Sequence, residues 1–471
     1  MLTGVTPRHA LDAAESRRFN SRMAQSPFSI SRRAFVKTCA ATAAASGLPG
    51  WFLEQEQALA AAAPDKPSPN DRPGIALVGC GGRGTGVAHD AARFGEILAV
   101  CDADKSHAER AAKGFAKDGK TPDQYDDFRK VMERDDIRVM VNGTPDHWHT
   151  LVNLAAAKAK KDIYSEKPLT LTVDEGKRLV QAVRANRVVL QTGTQQRSDR
   201  NFRLACELVR NGRLGKLQQI VVWVPAGLRG GPFKSSPVPP GLDWDRWLGQ
   251  APKVDYVKER CHTTFRYWLE YSGGTITDWG AHHNDIAFWA TGLNGPDAVE
   301  GKVLVPPIPG GYTAFPEYEI RFTYSTGVTH YLRTTKDDNI FGGEVNPQGQ
   351  RNGIRFEGSD GWIWVRRGAI EASTEELLRT PLPANAERLT VSRDHLGNFF
   401  ESVRSRKDPI CDVETGHRSA SECHLAVIAL RLGRKLQWNL DREEFVGDGA
   451  SEANAHLARE MRKPYDYSLV S

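Results

Sequence analysis

The run from Gly74 to Asp102 constrains this chain more than any other part of it. Gly74-Ile-Ala-Leu-Val-Gly79 is a short apolar run, and Gly79-Cys80-Gly81-Gly82-Arg83-Gly84 follows with G-x-G-x-x-G spacing. A helix is expected through Val87 to Arg93, and a second strand, Glu96 to Cys101, ends at Asp102, 18 residues after Gly84. A strand that turns on glycines into a helix, then returns to a strand ending in an acid, is the local plan of a dinucleotide site. Of the three glycines, the first permits the tight turn, the second lets backbone approach a pyrophosphate, and the third lets helix and strand pack closely. The phosphates are expected at the helix N-terminus, beside Gly82 and Arg83, where unpaired N–H groups point outward. Asp102 is placed to accept ribose hydroxyls and to repel a 2′-phosphate, which favours NAD. Lys105 and Ser106 close behind it keep NADP open.

The alternation continues beyond this unit. Helices are expected around Lys105 to Lys117 and Tyr125 to Glu133, and over residues 173 to 186; strands are expected at Val139 to Asn142, Asp162 to Ser165 and Val188 to Gln191. Strands alternating with helices predict a Rossmann-type, doubly wound parallel sheet, whose ligands lie beyond the strand C-termini. Thr144, Pro145 and His149 follow one strand and Glu166-Lys167-Pro168 another, so both segments should face the cofactor crevice. From about residue 217 the pattern changes. Leu217 to Val224 reads as a strand, Tyr318 to Tyr324 alternates with period two, and Ser325-Thr-Gly327 turns it into Val328 to Arg333. Ile354 to Gly358 and Gly361 to Arg366 repeat the hairpin pattern. The second half is therefore expected to be an α/β domain with a large, mostly antiparallel open sheet, whose polar and aromatic face either lines a sugar site or forms a subunit interface. With 471 residues, the chain divides into a leader and linker (1–63), a nucleotide-binding domain (64–191) and a C-terminal domain (192–471).

The leader carries its own signal. Ser31-Arg32-Arg33-Ala34-Phe35-Val36-Lys37 matches the twin-arginine export pattern, a weakly apolar stretch follows from Thr38 to Leu53, and Ala58-Leu59-Ala60 offers a small-residue cleavage site. The expected location is periplasmic or otherwise outside the cytoplasm, reached through the twin-arginine export machinery. No segment is long and apolar enough for a stable membrane anchor, and Cys39 lacks a lipidation box. The formal net charge is +5, but residues 1–60 hold seven basic and four acidic residues, leaving about +2 on the rest. So small a surplus argues against nucleic acid as a partner. The other six cysteines are scattered without a C-x-x-C pair; Cys80 and Cys101 should be small buried residues, and no metal site is expected.

Chemistry concentrates in Asp278-Trp-Gly-Ala-His282-His-Asn-Asp285 together with Glu166-Lys167-Pro168. A helix would stack Asp278, His282 and Asp285 on one face, and a desolvated lysine nearby suits proton transfer to and from a hydroxyl. His282 is the expected proton acceptor, Lys167 the group that polarises the oxygen, and Asp278 the residue that orients them. Arg197, Arg266 and Tyr267, with His282, are candidates for binding substrate hydroxyls; each of the first three reads equally as a structural ion pair or packing residue.

In this order, Gly79 to Gly84, Asp102, Thr144-Pro145, Glu166-Lys167-Pro168 and Gly273-Gly274-x-x-x-Asp278-x-Gly280-x-His282-x-x-Asp285 resemble the Gfo/Idh/MocA oxidoreductase family. Asn211-Gly-Arg-Leu-Gly-Lys216, Leu242 to Gly249 and Phe265-Arg266-Tyr267 are further landmarks, so the resemblance covers roughly residues 73 to 440. It implies NAD or NADP as cofactor, a sugar or cyclitol as substrate, and a homo-oligomer, dimer or tetramer, built on the open sheet. It also implies that Lys167 is the catalytic lysine, with Asp278 and His282 its partners. Two reaction types fit. One is net oxidation or reduction at a hydroxyl or keto carbon; the other is a redox-neutral glycosidase, lyase or epimerase that oxidises and re-reduces the sugar in one cycle.

Overall fold

Residues 47–61, 72–335 and 352–470 are described by a computed structural model of the chain. The twin-arginine run, Cys39 and residues 342–351 of a glycine-rich loop lie outside the described residues.

The first half folds as the alternation predicts. Strands β1 (Gly74–Val78), β2 (Glu96–Cys101), β3 (Asp123–Tyr125), β4 (Ile137–Asn142), β5 (Asp162–Ser165) and β6 (Leu190–Thr192) form one sheet in the order β3-β2-β1-β4-β5-β6. Every pair in it is parallel. Ile75 through Val78 are all buried, as an unbroken apolar strand covered on both faces requires. Helices Gly82–Ala91 and Lys105–Phe115 pack one face through Val87, Ala91, Ala108 and Ala112, and helices His149–Lys158 and Val173–Asn186 pack the other through Leu151, Val152, Leu179 and Val183. Helix Val173–Asn186 has the expected bounds because Thr172 caps it and Arg187, at φ 54°, ends it in the left-handed region. The helix expected from Tyr125 is shorter, Phe128–Met132, and starts where Asp127 accepts the Arg129 N–H. Just before it, Asp123-Gln-Tyr125 pairs with β2 as an edge strand. Its three residues are polar or half-buried, so no apolar run marks it.

The second sheet has nine strands. They are β7 (Leu217–Pro225), β8 (Ala298–Val305), β9 (Glu317–Thr323), β10 (Thr329–Thr335), β11 (Gly353–Gly358), β12 (Gly361–Arg366), β13 (Ala369–Ala372), β14 (Leu436–Asn439) and β15 (Glu444–Val446), in the order β13-β12-β11-β7-β10-β9-β8-β14-β15. Both expected hairpins form, β9 with β10 and β11 with β12, and among the neighbouring strands β7 with β10 is the parallel pair. The inner face, with Ile220, Val222, Ile320, Phe322, Leu332 and Phe356, packs on helices Arg200–Arg210, Gly280–Thr291 and Val413–Leu432. Helix Val413–Leu432 is buried nearly all round, so no amphipathic stripe announces it. The other face carries ion pairs such as Arg333 to Glu319 at 2.8 Å and Arg355 to Glu357 at 2.6 Å.

The two halves are not cleanly divided along the chain. The boundary near residue 192 is the end of β6, but Leu396, Phe399 and Phe400 complete one apolar layer on the first sheet, and Val413 and Ala420 join the other. Between β7 and helix Gly280–Thr291, residues 242–271 gather Trp244, Trp247, Tyr256, Phe265, Trp268 and Tyr271 into an aromatic cluster. The Lys105 N–H donates to Gly241 O, and the Asp243 N–H to Ala103 O, each at 2.9 Å, so this cluster is tied to the end of β2. All six cysteines of the described residues are buried and unpaired. No helix among the described residues is long and apolar enough to cross a membrane.

Candidate active site

A crevice of about 770 Å³ opens beyond the C-termini of β1, β2, β4 and β5, under the aromatic cluster. Its floor is the glycine turn. Gly79 has φ 89°, and a Cβ there would lie 2.4 Å from the Gly143 carbonyl carbon. At Gly84 a Cβ would lie 2.0 Å from the Gly79 carbonyl oxygen, so two of the three glycines are required by the protein's own packing. Gly81 differs, since a Cβ there meets nothing within 4 Å. That open space at the start of helix Gly82–Ala91, which has no side-chain cap, fits a pyrophosphate. Asp102 is held at the crevice edge by two backbone donors, the Cys80 N–H at 2.7 Å and the Asp104 N–H at 2.8 Å. Beside it, His107 lies 3.6 Å from the Asp102 carboxylate, which raises the proton affinity of this imidazole.

The same edge brings in a residue from the second half. His262, in the left-handed region at φ 52°, places its ring 4.4 Å from that of His107 and its Nε2 3.2 Å from Asp104. Asp104, His107 and His262 offer ligand atoms within 4.8 Å of one another, a grouping able to hold a metal. No sequence spacing signals it, because His262 arrives from the far domain.

At the other end lies the Glu-Lys-Pro segment that follows β5. Glu166, buried, accepts from Arg83 at 2.7 and 2.9 Å and from Gln195 at 3.2 Å, locking the glycine turn to the strand end. Lys167 donates from Nζ to both the main-chain carbonyl and the carboxylate of Asp278, each at 2.6 Å. Burial would raise the Asp278 carboxyl, but the Lys167 ammonium and the Arg266 guanidinium, 3.4 Å away, hold it below the usual carboxylate range. His282 is buried and held neutral: desolvation lowers its proton affinity well below the ordinary value, and Lys167 and Arg367 lower it further. Its Nδ1 has no hydrogen-bond partner among the described residues.

The helix carrying these groups is not continuous. Thr275–Asp278 and Gly280–Thr291 are separate, joined at Trp279. In an unbroken helix the His282 N–H would bond the Asp278 carbonyl. Here it goes to Trp279 O at 3.1 Å, and Lys167 fills the carbonyl so released. Asp285 shares the helix of His282 but does not line the crevice with it and Asp278. Asp285 is fully buried, bidentate with Arg197 at 2.7 and 2.9 Å and bonded to Ser419.

The structure places the other sequence candidates as follows. Gly79, Gly81, Gly82, Arg83, Gly84, Asp102, Thr144, Pro145, His149, Glu166, Lys167, Arg266, Asp278 and His282 all line the crevice. His149 sits with its ring nitrogens 2.6 and 3.0 Å from the Pro168 and Thr144 carbonyls, so it braces one strand-end loop against the other. Arg197 and Tyr267 lie outside the lining: the first is committed to Asp285, and the second packs on Tyr312 at 5.5 Å. Gln195 and Arg367 are lining residues that the sequence reading did not name, while Asp146 lies in the run from Thr144 to His149 expected to face the crevice. Gln195 holds Glu166; Arg367, in the turn between β12 and β13, lies over the Trp279 ring at 5.2 Å; Asp146 is a fully buried carboxyl pushed up by desolvation. Asp146 stood within the segment already singled out, and a buried, perturbed acid in a cleft is a functional candidate. Gln195 and Arg367 carried no local signal.

Comparison with known proteins bears on the family and the fold. Residues 74–194 match the model of an oxidoreductase family's NAD-binding Rossmann fold, and residues 223–467 match that of its C-terminal alpha/beta domain. The chain is similar to myo-inositol 2-dehydrogenase of Thermotoga maritima, 30% identical over 182 residues that make up 38% of this chain and 44% of the relative. It is also similar to a glycosyl hydrolase family 109 protein of Shewanella pealeana, 28% identical over 208 residues, 40% of this chain and 44% of the relative. The chain thus matches less than half the length of either relative. The fold is that of the WlbA dehydrogenase from Bordetella pertussis, crystallised with NADH and UDP-GlcNAcA; the TM-score is 0.57 and the identity 17%, over 78% of this chain and 99% of that one.

Proposed function

This chain belongs to the Gfo/Idh/MocA oxidoreductase family, with an NAD-binding Rossmann domain, and on that premise we propose that it is an exported NAD(P)-dependent oxidoreductase acting on a hydroxyl or keto group of a sugar, glycoside or cyclitol. The observation that carries this reading is Lys167, bonded twice to Asp278 and beside a neutral His282 in the same crevice as the glycine turn. A nicotinamide bound there supplies the hydride acceptor or donor. The chain's residues handle the proton. An ammonium has three N–H groups and two of Lys167's are taken, which leaves one to polarise a substrate oxygen. His282, uncharged, takes the hydroxyl proton as the carbon is oxidised and returns it in the reverse direction. Asp278 fixes the lysine, and Arg266 reaches the same carboxylate, ready to bind a neighbouring hydroxyl. Gly81, Gly82 and Arg83 are assigned to the phosphates, Asp102 to the adenosine ribose, and Thr144 and Pro145 to the nicotinamide side.

The cofactor is read as tightly held. Arg246, Trp247, His262 and Phe265 of the aromatic cluster, with Tyr465 and Leu469 near the C-terminus, share the crevice lining and cover it from outside. Retention fits export, because no pool of free nicotinamide cofactor exists beyond the cytoplasm. The twin-arginine run supports a periplasmic location, and the open face of the nine-stranded sheet is the surface assigned to a homo-oligomer.

The likeness to a glycosyl hydrolase family 109 protein favours one second reading, redox-neutral cleavage or epimerisation through a transiently oxidised sugar. Purified protein is assayed for bound NAD(H), then given myo-inositol, glucose and a nitrophenyl glycoside with no added cofactor. Reduction of the bound NAD that stops at one equivalent supports the oxidoreductase. Multiple turnovers of glycoside with no net change in reduced cofactor support the second reading. No bound or bindable NAD(H) would contradict both.

A further inference from the structure

The segment expected to end in an export cleavage site is built into the folded protein. Helix Gly50–Ala61 follows a turn at Gly47, and Leu48 and Phe52, 3% and 0% exposed, belong to the same apolar core as Phe202, Ile370, Leu378 and Leu382. Gly47, at φ 71°, is pressed so closely to β13 that a Cβ would fall 2.3 Å from the Ile370 carbonyl oxygen. The Trp51 indole N–H donates to Leu378 O at 2.9 Å. Arg203 lies over the Phe52 ring at 4.7 Å and pairs with Glu56 on one side and with Glu207, at 2.7 Å, on the other. All three charged side chains are nearly buried, at 3%, 11% and 0% exposure. Arg393 adds a bond to the Glu56 main-chain carbonyl.

A peptide awaiting removal has no use for a buried phenylalanine, a buried ion pair and a glycine fitted to another strand. A cut at Ala60 would release all of them. It would leave a void the size of Phe52 and deprive a desolvated guanidinium of one of its carboxylates, two of the most destabilising changes a core can suffer. It would also unbrace helix Arg200–Arg210, which leads directly out of the turn that holds Gln195 against Glu166 in the crevice.

We propose that residues 47–59 are a permanent strap on the C-terminal domain, so that any removal of the leader falls upstream of Gly47 and not at Ala58-Leu59-Ala60. The strap stands apart from the choice of substrate and reaction. Its test uses the full chain with a C-terminal tag, produced in a bacterium with a working twin-arginine route, and the intact mass of the folded protein from whole cells and from the periplasm. The expected N-terminus is at or before residue 47 in both. A folded, exported protein beginning between residues 48 and 64 overturns the proposal. Thermal unfolding of full-chain variants decides the matter even where no cut occurs. Phe52→Ala should lower Tm by about 5 °C or more, as a truncated core aromatic does, while Leu59→Ala, on the exposed side of the same helix, should leave it unchanged. A Phe52→Ala variant within about 1 °C of the parent would show that the strap contributes nothing to the fold.

Discussion

In the proposed reaction, Lys167 and His282 divide the work by charge. The lysine donates to two oxygens of one residue, while burial and the positive charges around it push the proton affinity of the imidazole down. A neutral imidazole is free to accept a hydroxyl proton, and the neighbouring cation disfavours the imidazolium so formed, which drives the proton back in the reverse direction. Lys167→Ala should therefore reduce turnover by at least about 10²-fold while bound NAD stays at wild-type stoichiometry; survival of turnover within about tenfold would remove the lysine from the chemistry. Arg367 acts on the same imidazole from the β12–β13 turn, and the sign of its effect is clear. Arg367→Gln deletes a cation that disfavours imidazolium, so the acid limb of kcat/KM should move to higher pH, along with the His282 resonance in a histidine NMR titration. No movement of either would mean that Arg367 is electrically remote from His282. At the adenosine end, His262→Ala removes a ring contact and a bond to Asp104, and should speed NAD release about tenfold without touching the proton-transfer groups.

At the scale of elements, the glycine turn separates ligand from fold. Gly84→Ala drives a methyl into the Gly79 carbonyl and should lower Tm, whereas Gly81→Ala meets no protein atom and should weaken NAD binding at an unchanged Tm. Parallel losses of stability in both variants would contradict the assignment of that open space to a pyrophosphate. This turn was legible in the sequence because strand, turn, helix and acid are local neighbours, as are the two hairpins and the capped helix Val173–Asn186. What was not legible depends on contacts across the chain. At the break at Trp279, Lys167, 111 residues away, takes the place of the missing helix donor to the Asp278 carbonyl. Arg197 reads equally as a substrate ligand or a structural ion pair until Asp285 is found against it. Helix Val413–Leu432 lacks a polar face because it is enclosed by both halves, and β3 lacks an apolar run because it sits at an edge.

For the whole molecule, the buried imidazoles set how it answers acid. His147, His283 and His424 are pushed down by burial to about 3, and His395 to about 4, against about 6.5 in an unfolded chain. Below pH 6.5 the unfolded chain binds protons that the folded chain refuses, so stability is full above that pH and falls as pH drops toward 4, by up to about 1.4 kcal/mol per unit for each imidazole. Tm should decline steeply between pH 7 and pH 5; a flat profile would show that these rings are protonated in the folded state. The same enclosure joins both domains around one crevice, with the C-terminal helices completing the layers of the first sheet and the aromatic cluster lining the crevice from outside. The proposed chemistry of this crevice is oxidation or reduction of a sugar carbon, with Lys167 and His282 handling the proton. Its most direct test is single-turnover absorbance of protein-bound NAD after mixing with a panel of cyclitols and aldoses. Reduction by at least one of them in the parent, and its loss in Lys167→Ala at equal NAD occupancy, is the predicted result; equal reduction in both proteins would contradict it.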